Sequence, residues 1–251
     1  MARQKGVIKL EGRIGDLSFY KSGGEYMART KGGVDADRIK SDPAYARTRE
    51  NGAEFGRAGK AGKVLRNALK VAISRSGDKR VASRLAGELL KVVQADSTNV
   101  RGERTVMQGD LSLLQGFEFN NAIGLESVLT MPYIPVFTRS SGTAAMNVQE
   151  FVPKNEIAQV EGATHFRFIV GLAAIDFENQ SYEVDVTESN TMEYGSTPIA
   201  GQIIEANITA DSTFPVFLVF GVEYYQSVNG QMYPLNNKES NPLAIVLVDL
   251  L

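Results

Sequence analysis

The chain has 251 residues, 43% apolar and 22% charged, with a net charge of −2. That length supports a sizeable core and one or two domains. The absence of cysteine excludes disulfides, thiolate catalysis, zinc ribbons and iron–sulfur ligation together, and fits a reducing compartment.

The small net charge conceals a division. Residues 1–110 hold 23 Lys plus Arg against 13 Asp plus Glu, a net of +10. Residues 111–251 hold 4 against 16, a net of −12. So steep an asymmetry points to an anionic partner for the first half, or to one half meeting the other. The first thirteen residues lack the apolar stretch of a secretion signal. No run reaches the roughly 18 apolar residues of a membrane helix. The expectation is a cytoplasmic protein, or part of a phage-like or extracellular assembly released without a Sec signal, with no membrane partner. The glycosylation patterns at Asn179 and Asn207 are then chance matches.

In chain order, Val7, Ile8 and Leu10 predict a strand. Residues 17–21 and 25–29 flank Ser22-Gly23-Gly24, a hairpin signal. Two strands alone are marginal in water, so this hairpin must pack on its own domain or on a neighbouring subunit. Asp42 and Pro43 open a helical region. Asn51-Gly52 suits a helix end, which predicts a short helix over 43–50 and a longer one over 53–74. Each interior Gly costs about 1 kcal/mol relative to Ala, so Gly52, Gly56, Gly59 and Gly62 need a purpose.

Turning the second helix by about 100° per residue puts Phe55, Ala58, Ala61, Leu65, Ala68, Leu69, Ala72 and Ile73 on one side. Gly56, Gly59, Lys60, Lys63, Arg66 and Lys70 fall on the other. With Arg47 and Arg49, these form the candidate interface or anion-binding set. A partner's backbone, peptide or nucleic acid, fits close to the glycines and is held by the cations. The competing reading is an ordinary solvated basic face. Ser76-Gly77-Asp78 then turns the chain into a helix over 79–95, with Val81, Leu85, Leu89 and Val92 as its core stripe, antiparallel to the first. A basic loop and a helical turn through Leu111, Leu113 and Leu114 follow.

From Phe117 the pattern changes to strands. They are expected at 117–119, 128–131, 146–152, 164–172, 182–186, 202–208, 216–225 and 243–248. Turn residues separate them, most clearly at Asn229-Gly230. The reading is α+β: a basic hairpin-and-helices domain over 1–116 and an acidic antiparallel sandwich, immunoglobulin-like, over 117–251.

No catalytic constellation accompanies this. His165 is the only histidine and cannot anchor a triad or an imidazole metal site alone. Asp176, Glu178, Glu183 and Asp185 read as a solvated strand face, with a weak calcium site as the alternative. Five residues, not four, lie between Gly56 and Gly62, and Val64 follows Lys63, which departs from the phosphate-loop pattern. No enzyme activity and no cofactor are expected.

The segments GRIGDLSFYKSGGEYMARTKGG, DPAYARTRENGAEFGRAGKAGK and GATHFRF with AAIDF carry a resemblance. The chain is similar to an uncharacterised group of proteins from Bacteroidetes-type bacteria and their mobile elements. The resemblance implies occurrence and transfers no activity or site residue.

The first functional expectation is a non-enzymatic structural protein that assembles with copies of itself into a filament, tube, sheath or particle. The alternative is a nucleic-acid-binding protein using its basic helix on phosphates. A sandwich recognising carbohydrate or protein is a third reading, weakened by the absence of Trp.

Overall fold

A computed structural model of the chain describes residues 2–30, 32–235 and 238–250. Its contacts group the chain into two units, residues 1–50 and 51–251. The expected boundary at 116/117 falls inside the second unit.

In the first unit, β1 (Ala2–Arg3), β2 (Gly12–Ile14), β3 (Leu17–Ser22) and β4 (Glu25–Thr30) form an antiparallel sheet ordered β1-β4-β3-β2. The β3–β4 hairpin closes through Gly23 (φ 59°) and Gly24 (φ 83°), a two-residue turn that needs positive φ at both positions. The strand expected at Val7 does not form. Val7 and Ile8 lie in a bend, 101% and 79% exposed, because nothing in the unit covers an apolar side chain there. Helix α1 (Ala36–Ser41) is capped by the Asp35 carboxylate. A short 3-10 turn (Pro43–Tyr45) follows, capped by Asp42. No described residue of 2–50 is buried.

Helix α2 (Ala46–Ala68) runs unbroken through Asn51-Gly52. The expected stop fails because the end signal must compete with burial just beyond it: Glu54, Ala58 and Ala61 bury their side chains and keep the helix going. The interruption comes instead at Leu69, before the single turn α3 (Lys70–Ile73). Helix α4 (Val81–Gln94) buries Leu85, Leu89, Val92 and Val93. It meets α2 at Gly62, where an added Cβ would lie 3.3 Å from Leu89 Cδ1. Phe55, placed on the core side by periodicity, is 56% exposed.

Two long strands organise the second unit. β7 (His165–Asp176) and β11 (Val216–Val228) pair antiparallel along most of their length. Ile169, Ala173, Ile175, Phe217 and Val219 face the helices in one core cluster. Phe168, Val170, Leu172, Leu218 and Phe220 belong to a second cluster. Both faces are therefore covered, which is why these strands read as continuous apolar runs. β8 (Ser181–Glu188), β9 (Met192–Glu193), β12 (Gln231–Pro234) and β13 (Leu243–Asp249) complete a six-stranded sheet. The second cluster is closed by a three-stranded sheet of β5 (Tyr133–Thr138), β6 (Thr143–Val148) and β10 (Gln202–Asn207), ordered β10-β6-β5. The Asn229-Gly230 hairpin forms as expected, with φ of 50° and 77°.

Other strand expectations differ. Residues 117–119 make only a single bridge, Glu118 to Ala244. Residues 128–131 hold the end of α5 (Leu125–Val128) and a bridge from Leu129 to Ile157. The Glu118 carboxylate accepts the Leu125 N–H and satisfies one free donor of that helical turn. The extended reading of 146–152 runs past the end of β6, and Pro153 opens the short α6 (Pro153–Glu156). β5 was hidden by Pro135, whose missing N–H is tolerated on an edge strand.

The fold is thus α+β, with antiparallel sheets and helices packed on one of them.

Candidate functional site

The predicted basic set divides between the two units. In the first, Arg47 is exposed and pairs with Glu50 at 3.7 Å. The Arg49 guanidinium donates to the carbonyls of Ile39 (2.7 Å) and Asp42 (2.9 Å). It closes off carbonyls at the end of α1, so Arg49 is committed to its own fold.

In the second unit the set holds together on α2 and α3. Ala58, Ala61, Gly62, Val64, Leu65 and Ala68 are buried, which turns the opposite side outward. Lys60, Lys63 and Lys70 are exposed and Arg66 is half-buried. Among the described residues, none of these four side chains has an ion pair or hydrogen bond. Arg57, by contrast, is spent on the carbonyls of Gly102 and Arg104. Four unpaired cations along about three turns repel one another and attract any anionic surface.

The glycines separate into two kinds. A Cβ at Gly62 would press on Leu89, whereas one at Gly52, Gly56 or Gly59 would meet nothing within 4 Å. Packing within the chain explains Gly62 alone. Replacing Gly52, Gly56 or Gly59 with Ala is expected to raise stability by about 1 kcal/mol each. Gly62→Ala is expected to gain less, because Leu89 must shift. Denaturant midpoints check this; a destabilised Gly56→Ala would show an unrecognised close neighbour.

On the acidic side, Glu126, Glu150, Glu161, Glu178, Glu193, Glu205 and Asp211 have no ion pair among the described residues. The carboxylates singled out from sequence are internal ligands. Asp176 accepts from the backbone and side chain of Asn179 and from the Glu178 N–H, and these donors hold its carboxyl below the usual range. Glu183 accepts the N–H and hydroxyl of Thr209, and Asp185 accepts the Asn207 N–H. They staple the end of β10 to β8. The cleft beside them, about 430 Å³ and lined by Asp176, Glu183, Thr209, Asp211 and Ser212, has the Asp176 and Glu183 carboxylates already engaged within the chain. Among the described residues no group of three or more His, Asp or Glu is arranged to hold a metal ion. His165 Nδ1 lies 2.9 Å from the Thr164 hydroxyl.

Sequence reading missed the most buried charges. Glu223 on β11 is 2% exposed. It bonds Arg167 on β7 at 2.8 Å, Arg75 beyond α3 at 3.3 Å, and the Tyr225 hydroxyl at 2.7 Å. Glu188 on β8 closes the ring, bonding Arg75 at 3.1 Å and Arg167 at 2.5 Å. The four-membered ring is charge-balanced and ties the helical end to three strands. Burial and the neighbouring Glu223 carboxylate push the Tyr225 hydroxyl well above its ordinary pKa, so it stays a donor. The available signal was a single acid inside the apolar run 216–225, since a buried charge requires a partner. Asp96, 1% exposed, is a second case. Burial opposes its charge, but donors from Asn99, Thr105 and Thr98 outweigh that and depress its pKa. It organises the loop after α4.

No family model, no curated protein and no solved structure matches the chain. The class that the fold defines is an α+β protein with helices packed on antiparallel sheet. Among the described residues no helix is long and apolar enough to cross a membrane.

Proposed function

We propose that this chain is a non-enzymatic structural subunit that assembles with copies of itself. Its basic surfaces meet the acidic, sandwich-like surface of the next copy, an immunoglobulin-like arrangement of sheets in this reading. The observation that carries the proposal is the first unit: a four-stranded sheet in which no described residue is buried. Such a sheet lacks the covered apolar face that independent stability requires. The +10 and −12 halves supply the attraction, and a contact between two different surfaces is head-to-tail, yielding rings or open helices.

The test is sedimentation velocity of the pure full chain across salt and concentration. Oligomers are expected at low salt, shrinking as the Debye length falls to about 8 Å at physiological ionic strength and below. A monomer at every salt and concentration overturns the proposal.

A second reading is favoured by the unpaired Lys60, Lys63, Arg66 and Lys70: phosphate contacts to nucleic acid. Filter binding with duplex and single-stranded DNA at low salt tests it. Retention with a steep salt slope supports it; no retention removes it.

A further inference from the structure

Strand register sorts the first unit's sheet into two faces, because residues directly opposite one another share a side. Leu17 is next to Ile14, and Phe19 lies between Gly12 and Ala28. Lys21 pairs with Tyr26 on the same side and stacks its ammonium 5.3 Å from that ring. One face is therefore apolar with a cation at its margin. Ile14 and Leu17 on it are 61% and 44% exposed.

The three-stranded sheet of the second unit has a matching feature. Its inner residues Ala144, Met146 and Val148 are buried. Its outer residues fall in rows: Ile134, Asn147 and Ile203, then Val136, Ala145 and Glu205. Ile134, Val136 and Ile203 are 52%, 42% and 63% exposed. This face is also apolar, with a carboxylate at its margin. β-Branched side chains around a central Ala make a flat surface suited to packing against another sheet.

Resting on the assembly reading above, we infer that the outer face of the β10-β6-β5 sheet is the seat of the N-terminal sheet of a second copy. The apolar face around Leu17 and Phe19 packs on Ile134, Val136 and Ile203, with Lys21 toward Glu205. Charge argues for this occupant. Residues 1–50 hold 11 Lys plus Arg against 7 Asp plus Glu, a net of +4, while residues 111–251 carry −12. Each chain has one of each face, in equal number, so every copy both offers and accepts. The contact covers an unstable sheet and an exposed apolar patch in one event.

The chain has no native cysteine, so single introduced thiols report the contact directly. Full-length Phe19→Cys and Val136→Cys proteins are mixed in equal amounts at low salt under mild oxidation. The expected product is the mixed disulfide dimer, at least tenfold over either homodimer. Leu17→Cys replaces Phe19→Cys if that variant does not fold. In parallel, Ile134→Lys/Ile203→Lys, both at exposed positions, is expected to weaken assembly at least tenfold by sedimentation. If the wild type assembles but only homodimers cross-link and the double Lys variant still assembles, this seat is wrong while the assembly reading stands. If a chain carrying both thiols closes only an internal disulfide, the occupant is its own first unit and the inference is overturned. If the wild type is monomeric and no cross-link forms, both readings are overturned.

Discussion

Replacing Glu223 with Gln is expected to destabilise residues 51–251 by about 3–5 kcal/mol, the usual penalty for breaking one side of a buried ion pair. Glu223 is 2% exposed and is bonded by Arg75, Arg167 and Tyr225. The amide is nearly isosteric, so packing survives and the lost quantity is charge. Arg167, 17% exposed, then keeps only Glu188 as a counter-charge, and the ring carries a net positive charge in a poorly solvated place. Arg75→Ala is expected to cost less, because Arg75 is 33% exposed and water recovers part of its interaction. Replacing all four charged members with apolar residues of similar volume is expected to come out nearer neutral than the single change, since desolvation offsets most of a buried pair's attraction. Urea unfolding of the full chain measures all three. A Glu223→Gln loss below about 1 kcal/mol would mean that water reaches the ring and that it does not hold helix to sheet.

Charge reversal on the outward side of α2 and α3 is expected to act on assembly and leave the fold intact. The variant is Lys60→Glu, Lys63→Glu, Arg66→Glu and Lys70→Glu together. None of these side chains has a partner within the described chain, and Lys60, Lys63 and Lys70 are exposed while Arg66 is half-buried, so the three Lys changes alter stability by about 0.5 kcal/mol or less each and the Arg66 change by more. At an interface rim, each pair contributes about 0.2–1 kcal/mol. Four lost pairs therefore weaken association by roughly fourfold to a thousandfold. Sedimentation at low salt reads the loss, and a retained cooperative denaturant transition shows that the fold is kept. Assembly equal to wild type would place the contact elsewhere. Loss of DNA retention with unchanged assembly would favour the nucleic-acid reading.

Much of the fold is legible in the sequence where a local rule and burial agree. The Gly23-Gly24 and Asn229-Gly230 turns formed because the two-residue hairpin turn needs positive φ at both positions and these residue pairs adopt it at low cost. The stripe through Leu85, Leu89 and Val92 formed because one face of α4 had a core to enter. Local rules failed where they met tertiary packing. Asn51-Gly52 looked like a helix end, yet α2 continued, because the buried residues that follow, from Glu54 onward, outweighed a weak stop. Leu129 and Met131 looked like strand, yet the segment became a helical turn and a bridge, with the Glu118 carboxylate as its first acceptor.

Of the candidate site, Lys60, Lys63, Arg66 and Lys70 were visible by helical periodicity alone. That Arg49 is consumed by two carbonyls was not, because the acceptors come from residues 7 and 10 positions away through a bend in the chain. By itself the sequence determined the composition-level facts: no thiol chemistry, one imidazole, a cationic front and an anionic rear, and an α+β pattern. Only the tertiary structure decided that the helices share a core with the sheet, which charges are buried in a closed ring, and which sheet faces stand uncovered. Pairing and burial are properties of residues far apart in the chain, and no window of neighbouring positions contains them.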